Sequence, residues 1–162
     1  MTIAAGERLP DARLFELTED GPVERSVAEI FEGRTIALFG VPGAFTPTCH
    51  NRHMPSFVEA ANAFADKGVD EIVCVAVNDP FVLGAWAEAS GAKGAGIRLI
   101  SDPAAELVSA MGLSFDASAR GLMTRSRRFS ALVRDRTLAA VNVEDSPGKA
   151  EVTTAPVLLG QI

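Results

Sequence analysis

Cysteine and histidine are both scarce in this 162-residue chain, which has two of each. The two cysteines, Cys49 and Cys74, are too few for a disulfide framework and suit a reducing compartment where a thiol is free to react. They do not form a Cys-x-x-Cys pair, which argues against a dithiol reductase. Basic residues are outnumbered, 15 against 21 acidic, for a net charge of -6. No overall positive field would therefore draw the chain to a phosphate backbone or an anionic membrane. The basic cluster Arg125, Arg127 and Arg128 is a local exception and reads as a solvated patch around a turn. No apolar run approaches the ~20 residues of a membrane-spanning helix. The first ten residues also lack the charged start and apolar stretch of a leader. These absences predict a cytoplasmic protein that binds neither nucleic acid nor membrane. The glycine-rich run Gly91-Ala-Lys-Gly-Ala-Gly96 lacks the Lys-Ser/Thr that follows a phosphate loop and precedes a strand, so it reads as a flexible connection.

What is present is an ordinary globular balance: 48% hydrophobic and 22% charged residues, with no repeat and no linker long enough to divide the chain. A single domain over residues 1–162 follows. Residues 12–17 read as a short strand, and Ser26 caps a small helix through Phe31 that Gly33 stops. The run Thr35-Ile-Ala-Leu-Phe-Gly-Val41 is almost wholly apolar, as in a central strand covered on both faces. A helix over 47–67 follows, with Pro55 predicted to kink it. A buried strand at 71–77, a helix at 79–90, a strand at 97–101 and a helix at 104–111 continue the alternation. Strands at 129–134 and 137–143 form a hairpin through Asp135-Arg136, and a short helix begins near Thr154. This order implies an α/β protein with a mixed central sheet flanked by helices, and a thioredoxin-like fold fits it best.

The chemistry concentrates in Val41-Pro-Gly-Ala-Phe-Thr-Pro-Thr-Cys49, between a buried strand and a helix start. Thr46 suits the N-cap and Pro47 the first helical position, which puts Cys49 third, where its N–H can bond the Thr46 oxygen. The positive end of the helix then favours thiolate over thiol. This places a nucleophile outside the carboxyl end of a central strand, where α/β proteins carry their sites.

Pro42-Gly-Ala-Phe-Thr46-Pro-Thr-Cys49 resembles the signature Pro-x-x-x-Thr-x-x-Cys of peroxiredoxins, and its extended form is similar to the atypical two-cysteine or plant type II group. The resemblance spans nearly the whole chain, including Val77-Asn-Asp-Pro-Phe-Val82, Trp86 and Arg128-Phe-Ser130. It implies a thiol peroxidase that reduces hydrogen peroxide and alkyl hydroperoxides without a cofactor, with Cys49 as the peroxidatic cysteine. Thr46 would hydrogen-bond thiolate and peroxide, Pro42 would shield the sulfur from water, and Arg128 would supply its guanidinium. The resemblance further implies a homodimer, and regeneration by glutathione and glutaredoxin or by thioredoxin. Cys74 is the candidate resolving cysteine of the plant type II pattern. Animal members carry theirs near the C-terminus, where this chain has Glu151-Val-Thr-Thr154.

Other readings stand beside these. Cys74 lies mid-strand between valines and reads equally as apolar filler. Cys49, His50 and His53 form Cys-His-x-x-His, but metals take three or four protein ligands and no further one accompanies them in sequence. The histidines read instead as polar surface or as a hydrogen bond near the thiolate. The same thiol would also serve a peroxide-sensing relay or a chaperone-like binding protein, in place of an enzyme.

Overall fold

The computed structural model describes residues 1–162. Strands β1 (Arg13–Thr18) and β2 (Gly21–Ser26) form an antiparallel hairpin, and α1 (Val27–Phe31) follows at once. Ser26 caps α1 by accepting the Glu29 N–H, while the Glu29 carboxylate accepts the Ser26 N–H, a reciprocal capping box. Next come β3 (Thr35–Val41), α2 (Met54–Asp66), β4 (Glu71–Ala76), α3 (Pro80–Ala89), β5 (Arg98–Ser101) and α4 (Glu106–Ala110). A small two-stranded unit of β6 (Ser114–Asp116) and β7 (Thr124–Ser126) precedes the hairpin of β8 (Phe129–Arg134) and β9 (Thr137–Val143), and α5 (Ala155–Leu159) ends the chain.

One seven-stranded sheet runs β2-β1-β5-β4-β3-β8-β9. Its centre, β5-β4-β3, is parallel, and both flanks are antiparallel. This is the mixed α/β, thioredoxin-like sheet read from the sequence. Alternation along each strand sorts side chains to opposite faces. In β3, Ala37, Phe39 and Val41 enter a core that includes Phe57 of α2 and Trp86 of α3, while Ile36 and Leu38 enter a second core with Ile30 of α1 and Leu107 of α4.

In β8, Phe129, Ala131 and Val133 face the α1 and α4 core, and Leu132 faces the core that holds Cys49. Arg128 stands one residue before the strand and shares the parity of Leu132. Its side chain is thereby directed to the Cys49 face.

Sequence reading missed β2 because its burial alternates between half-buried and exposed positions, without the apolar run that marks a central strand. It missed β6 and β7 because three residues carry no periodicity. The helix expected over 104–111 is shorter: Ala105 takes a left-handed φ of 55°, and the Asp102 carboxylate accepts the N–H groups of Leu107 and Val108.

Candidate active site

The segment between β3 and α2 turns at Pro42–Thr46 and then enters a helical stretch whose first hydrogen bond runs from His50 N–H to Thr46 O at 2.9 Å. Cys49–His53 form a π-helical turn, with Met54 N–H reaching back five residues to Cys49 O. Sequence reading predicted a kink at Pro55; the structure answers with this widened turn instead. A proline lacks the N–H and its ring meets the carbonyl four residues earlier, here that of Asn51, so widening the turn before it relieves both problems.

The Thr46 cap also differs from expectation. Its hydroxyl donates to Gly43 O at 2.6 Å, so its single proton is engaged within the turn and its lone pairs remain as acceptors. Pro42 is buried at the strand end, and its carbonyl accepts Arg125 Nη1–H at 3.0 Å. A Cβ on Gly43 would crowd that guanidinium, which would have to shift. Arg125 is thus half-buried against the active loop; the solvated patch expected for it is corrected.

Cys49 is fully buried. Arg128 is buried beside it and donates Nη2–H to Cys49 Sγ at 3.2 Å and to Pro147 O at 2.9 Å. Its Nη1 lies 3.1 Å from His53 Nδ1, and its Nε is left without an acceptor. None of its partners is a carboxylate. A guanidinium keeps its proton in proteins, and an uncompensated buried cation is strongly disfavoured. The acidic group it touches is Cys49.

His53, read from sequence as surface or a bond near the sulfur, is fully buried. Because Arg128 can only donate, His53 Nδ1 is the acceptor and Nε2 carries the proton given to Thr153 O at 2.9 Å. Burial, then the Arg128 cation, push its pKa from 6.5 down to about 3, against the opposing pull of the Thr153 carbonyl. It is a neutral holder of the guanidinium. His50 accepts the Trp86 indole N–H at 2.9 Å. No group of three or more His, Cys, Asp or Glu side chains converges as a metal site would require.

Cys74, fully buried in β4, pairs in register with Phe39 of β3 and Leu99 of β5. Burial pushes its thiol well up, the nearby Cys49 adds to this, and Arg128 partly opposes it. Neither cysteine is bridged. The structure therefore brings together Cys49, Arg128 and His53, with Thr46 and Pro42 in the turn alongside. Sequence reading missed the roles of His53 and Arg125. The i, i+4 spacing of Cys49 and His53 was the available signal, but only the path of residues 147–153 tells what His53 binds.

A thioredoxin-like sheet with a buried cysteine held against an arginine defines a thiol-dependent oxidoreductase. The chain matches the redoxin family model over residues 4–158. It is 46% identical over 148 residues to peroxiredoxin-2E-2, chloroplastic, of Oryza sativa subsp. japonica, covering 89% of this chain and 66% of that protein's length. It is 40% identical over 158 residues to peroxiredoxin-2B of Arabidopsis thaliana, covering 97% and 96%. The crystal structure of reduced Prx3 in complex with hydrogen peroxide, from Vibrio vulnificus, superposes with a TM-score of 0.92 over 98% of each chain at 40% identity. The chain belongs to the type II peroxiredoxins of the redoxin family, and it is a thiol-dependent peroxidase.

Two predictions follow from this geometry. Arg128→Ala lowers the rate of Cys49 oxidation by peroxide about 100-fold, whereas Arg127→Ala, whose guanidinium reaches the Glu144 carbonyl, leaves it nearly unchanged in stopped-flow assays; equal losses would refute the strand parity. The second concerns pH. With His53 at about 3 when folded and 6.5 when free, the unfolded chain takes up a proton that the folded chain refuses. Stability from this group is complete above pH 6.5 and falls as pH drops towards 3, by about 1.4 kcal/mol per unit within that window. Denaturant unfolding of wild type and His53→Gln at several pH values should show the variant with the flatter dependence.

Proposed function

We propose that Cys49 carries out the peroxidase reaction on hydrogen peroxide and small organic hydroperoxides. The observation that carries this reading is the 3.2 Å contact between Arg128 Nη2 and Cys49 Sγ, both buried. The thiolate attacks the terminal peroxide oxygen, an S–O bond forms as the O–O bond breaks, and the leaving hydroxide or alkoxide takes up the proton that the Cys49 thiol released on ionising. The products are a sulfenic acid on Cys49 and water or an alcohol. Charge moves from sulfur to the leaving oxygen, and Arg128 lies along that path with Nε–H still free to donate. Thr46, its own proton held by Gly43, accepts the hydrogen of the incoming peroxide. Pro42 closes the turn against water.

A second thiol then attacks the sulfenic sulfur, releasing water and leaving a mixed disulfide. We assign this step to glutathione with glutaredoxin, or to thioredoxin. A thiol held as deeply as Cys74, with its ionisation suppressed, is a poor attacking group, which supports a cycle that uses Cys49 alone. The two unbridged thiols support a reducing compartment such as the cytoplasm.

A homodimer fits the same face. Phe45, Phe81 and Met123 are 50%, 62% and 62% exposed. All three border the active loop: Phe45 lies within it, and Phe81, in the first turn of α3, is three residues after Asn78, whose side chain accepts the Ala44 N–H. Met123 follows Leu122, whose carbonyl anchors Arg125. Exposed large apolar groups gathered around one loop suit a second copy of the chain.

Cys49→Ser should abolish peroxide consumption with either reductant while the circular dichroism spectrum is retained; appreciable turnover would sink the assignment. Cys74→Ser should keep turnover with glutathione and glutaredoxin, and mass spectrometry should find Cys74 still reduced after one equivalent of peroxide. An intramolecular disulfide would establish Cys74 as the resolving cysteine instead. Phe81→Glu should shift the protein from dimer to monomer in sedimentation equilibrium, and a wild-type monomer would refute the dimer.

A further inference from the structure

Glu144 directly follows β9 and is only 3% exposed. One oxygen, Oε2, accepts four hydrogen bonds: from the N–H groups of Glu151, Val152 and Thr153 at 2.9, 2.8 and 2.9 Å, and from Thr153 Oγ1 at 2.8 Å. Arg127 reaches the main-chain carbonyl of Glu144 and forms no ion pair with its carboxylate. Burial raises the Glu144 carboxyl, but the Thr153 hydroxyl and the three N–H groups more than offset this and hold it below the ordinary carboxylate value. It is an anion at neutral pH whose charge is spent on one loop.

That loop meets the reacting centre at three points. Pro147 O accepts from Arg128 Nη2, Gly148 O accepts from Thr48 Oγ1 at 3.3 Å, and Thr153 O accepts from His53 Nε2. Residues 144–153 hold no helix or strand, so the four bonds to Glu144 define where the Thr153 carbonyl stands. From there a line of contacts runs through a neutral imidazole to Arg128 Nη1 and, by Nη2, to Cys49. Glu144 N–H also bonds Arg128 O at 3.0 Å, tying the carboxylate's own backbone to the arginine it serves.

We propose that Glu144 is a positioning residue for the peroxidase reaction, acting through the Thr153 carbonyl and His53 to hold the Arg128 guanidinium against the Cys49 sulfur. This rests on the assignment of Cys49 and Arg128 above. A positioned guanidinium stabilises both the thiolate and the transition state, so loosening it lowers the chemical rate and the thiolate population together.

Glu144→Gln keeps the volume and removes the charge. It should slow Cys49 oxidation by hydrogen peroxide roughly tenfold in stopped flow and diminish the ultraviolet thiolate absorbance that Cys49→Ser also lacks. Thr153→Val, which removes one of the four bonds, should move both readouts the same way by less. In a His53→Leu background, Glu144→Gln should change the rate less than about twofold, because the path is already cut. A lowered melting temperature with unchanged oxidation rate and thiolate absorbance would make Glu144 merely structural and overturn the proposal. So would an undiminished effect in the His53→Leu background. If His53→Leu does not fold, the rate and absorbance of Glu144→Gln decide alone. Turnover by Cys49→Ser would instead refute the nucleophile itself, a separate failure that the Glu144 variants do not imitate.

Discussion

A cation buried without a carboxylate partner organises this protein. Arg128 is among the largest fully buried side chains, and desolvating a permanent charge is tolerable only where an opposite charge and fixed acceptors meet it. The Cys49 sulfur, His53 Nδ1 and the Pro147 carbonyl are the groups that meet it. The same contact sets the cysteine sulfur in a buried pocket beside the guanidinium, where each donor acts with little screening.

Three separate segments have to agree for that contact to form. The β3 strand delivers the Pro42–Thr46 turn, held from outside by Arg125 on the Pro42 carbonyl. The widened turn at Cys49–His53 sets sulfur and imidazole at the base of α2, and Phe39 stacks on Phe57 at 4.0 Å beneath them. The stretch after β9 then crosses the site and supplies the Pro147 and Thr153 carbonyls. None of these segments is strong alone, and the π-helical turn is a weak point in its helix. The reactive sulfur has no exposed surface.

Much of the fold was legible because its signals are local. Apolar runs at Thr35–Val41 and Glu71–Ala76 mark strands covered on both faces, and Ser26 marks the start of a helix. The Pro42–Cys49 run announced both the nucleophile and its place at a helix start. Less legible were features whose cause lies elsewhere in the chain. Thr46 reads as a cap for Cys49, yet the tight turn brings the Gly43 carbonyl to its hydroxyl first. Arg125 reads as a surface residue, and His53 as surface or a bond near the sulfur with no partner named, because their partners, Pro42 for one and Arg128 and Thr153 for the other, are about 75 or more positions away.

By itself, then, the sequence determined the central strands and the longer helices, which cysteine occupies a helix start, and which arginine shares strand parity with the core that holds it. These depend on periodicities and caps that span a few residues. The tertiary structure decided what each polar group bonds: that Arg128 has no carboxylate, that His53 is neutral and donates to Thr153, and that Glu144 spends its charge on residues 151–153. A buried polar group must take a partner from whatever the packed chain brings within about 3 Å, and that neighbour is set by how strands and loops from distant parts of the chain converge.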